Sequence, residues 1–135
     1  MTAPPLSLYV HFPWCVSKCP YCDFNSHALQ GELPAERYIA ALEADLETQA
    51  PLVAGRPIVS VFFGGGTPSL FPPEAIARVL EHTRGLLGLA PDAEITLEAN
   101  PGTIERGRFA GYRDAGVNRV SLGAQTFDAA MLQTL

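Results

Sequence analysis

The sequence predicts an α/β protein built on a parallel sheet. About four strand–loop–helix units are expected, half the number in a full (β/α)8 barrel. Two observations predict this class. Short β-branched and aromatic runs alternate with amphipathic helical patterns, which implies parallel strands joined by right-handed crossovers. Each unusual polar or glycine-rich feature also falls just after a strand, on the rim where parallel α/β sheets bind ligands.

The elements follow in order. Leu6–Phe12 is an apolar strand stopped by Pro13, and a cysteine loop continues to Gly31. Pro34 suits the first position of a helix, whose apolar side carries Tyr38, Ile39, Leu42 and Leu46. Pro51 and Gly55 punctuate its end. Residues 58–63, IVSVFF, are too short for a helix and too apolar for a half-exposed strand, so a buried parallel strand is expected. It runs into Gly64-Gly65-Gly66-Thr67-Pro68. A second helix starts near Pro73, with Ile76, Val79, Leu80, Leu86 and Leu87 as its stripe. Residues 94–99 form the third strand, and Asn100-Pro101-Gly102 turns it. Thr103 is a candidate N-cap for a third helix, Phe109 and Tyr112 give that helix its apolar side, and Gly116 is its C′ residue. Residues 118–123 form the fourth strand, and a fourth helix begins near Asp128 with Met131, Leu132 and Leu135 facing inward.

The 135 residues suffice for one domain with a core. The hydrophobic fraction is 47% and the formal net charge is −5 without a basic cluster, so no nucleic-acid partner is expected. No apolar run is long enough to span a bilayer, and the N-terminus lacks the basic start and apolar stretch of a signal peptide. Thiols that stay reduced point to the cytoplasm. The sequence stops inside a helical pattern, so residues 1–135 are expected to be the N-terminal portion of an incomplete domain. Its last strand would be left as an open edge, and the 135-residue chain alone is expected to be poorly stable.

All three cysteines, Cys15, Cys19 and Cys22, sit in one eight-residue stretch. The odd count and the absence of any secretion signal argue against disulfides. Buried structural thiols are usually scattered through a core. Structural zinc wants four protein ligands, with His11 or His27 available as the fourth. A [4Fe–4S] cube normally takes four cysteines, so three would leave one iron open to an outside ligand. Cluster and zinc both remain readings of the spacing at this point.

With the cysteine loop, three further features gather after the strands. The triple glycine removes three side chains in a row, allowing close backbone approach and positive φ; alternatively it is only a tight turn. Glu98 ends an apolar strand, where a carboxylate needs a partner: ligand hydroxyl or ammonium donors on one reading, Arg119 on the other. Gln125 offers a donor and an acceptor to a ligand, or to its own loop. Tyr9 is expected to be partly core, and Tyr21 to shield the cysteine loop or pack on an adenine. His11 reads as a satisfied structural histidine, and His82 as a surface residue.

Several stretches together resemble the oxygen-independent coproporphyrinogen III oxidase family of radical S-adenosylmethionine (SAM) proteins. They are YVHFPWC from Tyr9, CPYCDFNS from Cys19, GGGTPS from Gly64, EANP from Glu98 and SLGAQTF from Ser121. The resemblance covers nearly the whole chain and implies the N-terminal part of a radical SAM partial TIM barrel. It implies a [4Fe–4S] cluster on Cys15, Cys19 and Cys22, with SAM on the fourth iron. SAM contacts are implied from Tyr9, Gly65 and Glu98. Gly66, Thr67 and Gln125 match positions that true oxidases use for a second SAM. The chain departs from true oxidases in one motif: they continue Cys-Gly-Cys after the third cysteine, whereas here Asp23 and Phe24 follow Cys22. It also begins only a few residues before the first strand. Both features resemble the oxidase-like heme chaperone branch, which binds heme and passes it to acceptor proteins. On that branch the cluster and SAM are kept, and oxidation of coproporphyrinogen is not expected. The alternatives are a coproporphyrinogen oxidase of porphyrin biosynthesis and a non-catalytic zinc module.

Overall fold

The computed structural model describes residues 3–102 and 107–134. Six strands and four helices are assigned among them, in the order β1 (Leu6–Phe12), β2 (Trp14–Cys15), β3 (His27–Ala28), α1 (Ala35–Gln49), β4 (Ile58–Gly65), α2 (Pro73–Leu86), β5 (Leu89–Ala99), α3 (Phe109–Ala115), β6 (Arg119–Leu122) and α4 (Ala129–Leu132). The main sheet runs β1-β4-β5-β6, all parallel, so each new strand lies beside the one before it. β2 and β3 form a separate two-stranded parallel pair. The expected α/β class with sequential βα units is therefore what the chain adopts.

One face of the sheet is the core. Val10 and Phe12, Val61 and Phe63, and Ile95 and Leu97 point toward Ile39 of α1, Ile76, Val79 and Leu80 of α2, and Tyr112 of α3. Fully burying a side chain of this kind contributes about 1.5–3 kcal/mol. Phe12 and Phe71 meet edge-on with centroids 4.5 Å apart, a favoured aromatic geometry. Tyr112 ties α3 to the turn after β4, its hydroxyl lying 2.6 Å from the Phe71 carbonyl and 2.9 Å from that of Ser69. Arg108 donates to the Ser69 and Leu70 carbonyls beside it.

The other face carries the alternate residues of each strand. Ser7 and Ser60 share a hydrogen bond of 2.7 Å there, and Tyr9 stacks on its register partner Phe62. The expectation that residues 58–63 are buried on both faces is corrected. Val59 is 39% exposed, and Ser60 and Phe62 are half-buried, because the helices cover only the face that carries Val61 and Phe63.

Several boundaries shift. β5 starts at Leu89, five residues before the expected start, because Leu89 pairs with Ile58 across an irregular register. Pro34 is the cap residue of α1 and not its first helical position, whereas Pro73 does open α2. Leu86 is exposed and leaves the expected stripe of α2, where Thr83 is buried instead, its hydroxyl bonded to the Val79 carbonyl. Gly116 closes α3 with φ +116°, as expected of a C′ glycine. Asp128 caps α4 by accepting from the Ala130 and Met131 amides. Met131 and Leu132 do not face inward; both are exposed, since nothing among the described residues packs over α4. Thr103 and Leu135 lie outside the described residues. No helix among the described residues is long and apolar enough to cross a membrane.

Candidate functional site

The cysteine loop grows from the carboxyl end of β1. β2 carries Cys15 and is held on both sides by backbone hydrogen bonds. On one side, the His27 amide donates to Pro13 and the Leu29 amide to Cys15. On the other, the Gly66 amide donates to Phe12 and the Thr67 amide to Trp14. Cys19 and Cys22 lie in the excursion between β2 and β3, in a turn closed by the Cys22 amide on the Cys19 carbonyl. All three thiols are free and half-buried. Among the described residues, no three His, Cys, Asp or Glu side chains are gathered tightly enough to hold a metal ion.

Zinc needs its ligands around one point, and His11 cannot supply one because both ring nitrogens are engaged. Its Nε2 donates to the Asn25 carbonyl at 2.8 Å, which leaves Nδ1 to accept from the Tyr9 hydroxyl at 2.9 Å. His11 is thus the satisfied histidine expected. An iron–sulfur cube spreads its cysteine ligands over separate iron corners, so three free thiols in one loop fit that group better than a single ion.

Beside the loop, on the open face of the sheet, lies a cavity of about 170 Å³. Tyr9, His11, Phe62, Gly65 and Glu98 line it from the strands, and Phe24 and Asn25 from the cysteine loop. A larger hollow of about 470 Å³ lies under α3 and β6 and contains none of the predicted site residues. Chemistry, not size, therefore selects the smaller one.

Glu98 accepts a hydrogen bond from the Gly65 amide at 3.2 Å. Arg119, its suspected partner, instead lies 3.7 Å from Glu94 and donates to Thr96. The reading of Glu98 as an ion pair with Arg119 is corrected, and the register explains why: Arg119 sits opposite Thr96, two residues short of Glu98. Burial, and then the nearby Glu98 carboxylate, push the Tyr9 phenol above its ordinary pKa, so Tyr9 keeps its proton at neutral pH.

The three glycines do different work. A side chain at Gly64 would meet Phe62, Glu98 and Tyr9 within 3.0 Å, so Gly64 keeps the cavity open. A Cβ at Gly65 or Gly66 would strike the backbone of Phe12 or Trp14 at 2.7 and 2.6 Å, and Gly65 also has φ +114°. Those two permit the cysteine loop to dock.

The structure brings Tyr9, Gly65 and Glu98 together. Gly66 and Thr67 stand just behind them, Thr67 buried and accepting from Asn100 at 3.2 Å. Tyr9 is 57% exposed, so it belongs to the cavity wall more than to the core. Tyr21 is exposed, and the neighbouring Cys19 thiol pushes its phenol above the ordinary pKa. Gln125 is exposed outside the cavity and makes no side-chain hydrogen bond among the described residues. Phe62, Phe24 and Asn25 were missed as lining residues. Register pairing with Tyr9 is the signal that marks Phe62, but Asn25 holds His11 through its backbone, which leaves no trace in side-chain type.

Comparison with known proteins agrees with this fold. The model of the radical SAM superfamily matches residues 9–134. The heme chaperone HemW of Escherichia coli K12 is 54% identical over 98% of this chain and 35% of its own length. That of Mycobacterium tuberculosis H37Rv is 42% identical over 100% of this chain and 35% of its own length. The bovine mitochondrial radical S-adenosyl methionine domain-containing protein 1 is 45% identical over 96% of this chain and 29% of its own length. Among solved structures, the coproporphyrinogen III oxidase HemN of Escherichia coli, a radical SAM enzyme, superposes with a TM-score of 0.87 at 36% identity. The match covers 96% of this chain and 30% of that one. The chain spans about a third of the length of these relatives.

Proposed function

Because the chain belongs to the radical SAM superfamily, we propose that Cys15, Cys19 and Cys22 hold a [4Fe–4S] cluster and that the cavity beside them takes SAM, in a protein that binds heme and delivers it to an acceptor. We also read residues 1–135 as the N-terminal portion of a larger radical SAM core, a reading supported by a match that covers 96% of this chain and 30% of the solved oxidase. The observation that carries the choice of heme chaperone is the 54% identity to a HemW protein over 98% of the chain, against 36% to the oxidase. Phe24 adds to it, standing where the oxidases have a cysteine.

When bound, the cluster and SAM supply one-electron chemistry at a sulfonium. The chain's own residues bind and orient. Glu98 spends one acceptor site on Gly65 and, with about four lone-pair sites on a carboxylate, retains capacity for ligand hydroxyl or ammonium donors. Tyr9 and Phe62 give the adjacent wall an aromatic surface. Thr67 and Gly66 support that wall from behind, Tyr21 covers the cysteine turn, and Gln125, exposed outside the cavity, matches a position that the oxidases use for a second SAM. The free thiols suit a reducing compartment such as the cytoplasm.

The reading is tested on the full-length parent in anaerobic reconstitution with iron and sulfide. A brown protein whose spectrum responds to SAM is expected, and Cys→Ser changes at 15, 19 and 22 should abolish iron uptake. Heme titration and a coproporphyrinogen turnover assay on the same protein then separate the chaperone from the oxidase. A heme complex without turnover is expected, and porphyrinogen conversion would assign the oxidase reading, which the superposition with HemN favours.

A further inference from the structure

Ser26 is the one fully buried polar side chain in the cysteine loop. Its Oγ lies 3.7 Å from Cys22 Sγ, within hydrogen-bond range for sulfur, and this is its only side-chain partner among the described residues. The segment that carries it is fixed at every carbonyl. Phe24 O accepts from the Ser26 amide at 2.7 Å and from Lys18 Nζ at 3.2 Å. Asn25 O accepts from His11. Ser26 O accepts from Lys18 Nζ at 3.0 Å. Lys18 belongs to the arm between Cys15 and Cys19, so its ammonium group ties the two arms of the excursion together.

Resting on the cluster reading above, we infer that the Ser26 hydroxyl donates to the Cys22 thiolate as an outer partner of the cluster and raises its reduction potential, and that Lys18 is the positioning residue that aims it. A thiolate ligand is acceptor-only, and a serine hydroxyl beside it has a proton to give. Reduction adds negative charge to the cluster, so a donor on a ligand sulfur stabilises the reduced state more than the oxidised one. Burial keeps water from substituting for that donor and lets the bond act in a low local dielectric. The Lys18 charge, held beside the same segment, acts in the same direction.

The test uses the full-length parent, reconstituted anaerobically, with iron and sulfide content and an EPR-monitored redox titration as the readouts. Ser26→Ala is expected to hold the wild-type iron content and to show a lower midpoint potential. The oxidised form should be favoured about tenfold, or ~59 mV for a one-electron couple. Ser26→Thr restores the hydroxyl and should return the potential. If Ser26→Ala does not retain iron, Ser26→Val decides instead, since it matches Ser26→Thr in shape and lacks only the hydroxyl, and it should show the lower potential of the two. An unshifted potential in the variant that holds its cluster overturns the inference while leaving the cluster reading intact. A wild-type protein that takes up no cluster overturns the cluster reading itself.

Discussion

At the scale of single residues, Glu98 is the side chain whose chemistry is most open to test. Its contact to the Gly65 amide needs only an acceptor, which a glutamine also provides. Its proposed contact to a ligand ammonium needs the charge. Glu98→Gln should therefore leave thermal stability nearly unchanged and weaken SAM binding to the reconstituted parent about tenfold, roughly 1.4 kcal/mol, the lower range for a hydrogen bond to a charged group. Calorimetry on the two proteins checks it. Gly65 and Glu98 were legible in the sequence because each breaks a pattern: a glycine run after a strand, a carboxylate at the end of an apolar one. Tyr9 alternates within an apolar strand and read as partly core, so only the family resemblance marked it. Phe62 was not, since a phenylalanine within an apolar run looks like core until the register with Tyr9 places it on the open face. Lys18 and Asn25 act on or through carbonyls, and no side-chain spacing encodes that.

At the scale of elements, α1 and α2 are joined by Arg78. Its guanidinium is bidentate on Glu43, at 2.7 and 2.6 Å, and reaches Glu36 at 3.0 Å. The hydrogen bonds from Arg78 hold the Glu43 carboxyl below its ordinary value of 4.5. A group that ionises more easily folded than unfolded stabilises the fold above its unfolded value, and that contribution is lost as pH falls through the folded one. The Tm difference between wild type and Arg78→Met should thus be complete at neutral pH and should shrink below about 4.5. Because Arg78 is 42% exposed and Glu36 92% exposed, salt should reduce the difference as well. Thermal melts across pH and ionic strength check both. The long helices and the strands of the main sheet were readable because their periodicity extends over several residues. β2 and β3 were not, since two residues cannot establish a period and their pairing depends on where the cysteine loop docks. The early start of β5 runs through Pro91 and Asp92, which disfavour strands; pairing of Leu89 with Ile58 overrides that preference.

At the scale of the molecule, the sheet has a covered face and an open one. Val120 and Leu122 on β6, with Phe127, Met131 and Leu132 after it, are exposed. The 135-residue chain by itself should accordingly melt broadly and bind hydrophobic dyes, while the full-length parent melts cooperatively; a sharp transition of the short chain would contradict this. The sheet order β1-β4-β5-β6 has a consequence for how the protein is made. Every strand docks on a neighbour that the ribosome has already released, so the sheet can grow outward as translation proceeds. The thiol-bearing turn follows β1 directly, so it leaves the ribosome ahead of β4, β5 and β6, the strands that complete the sheet beside it.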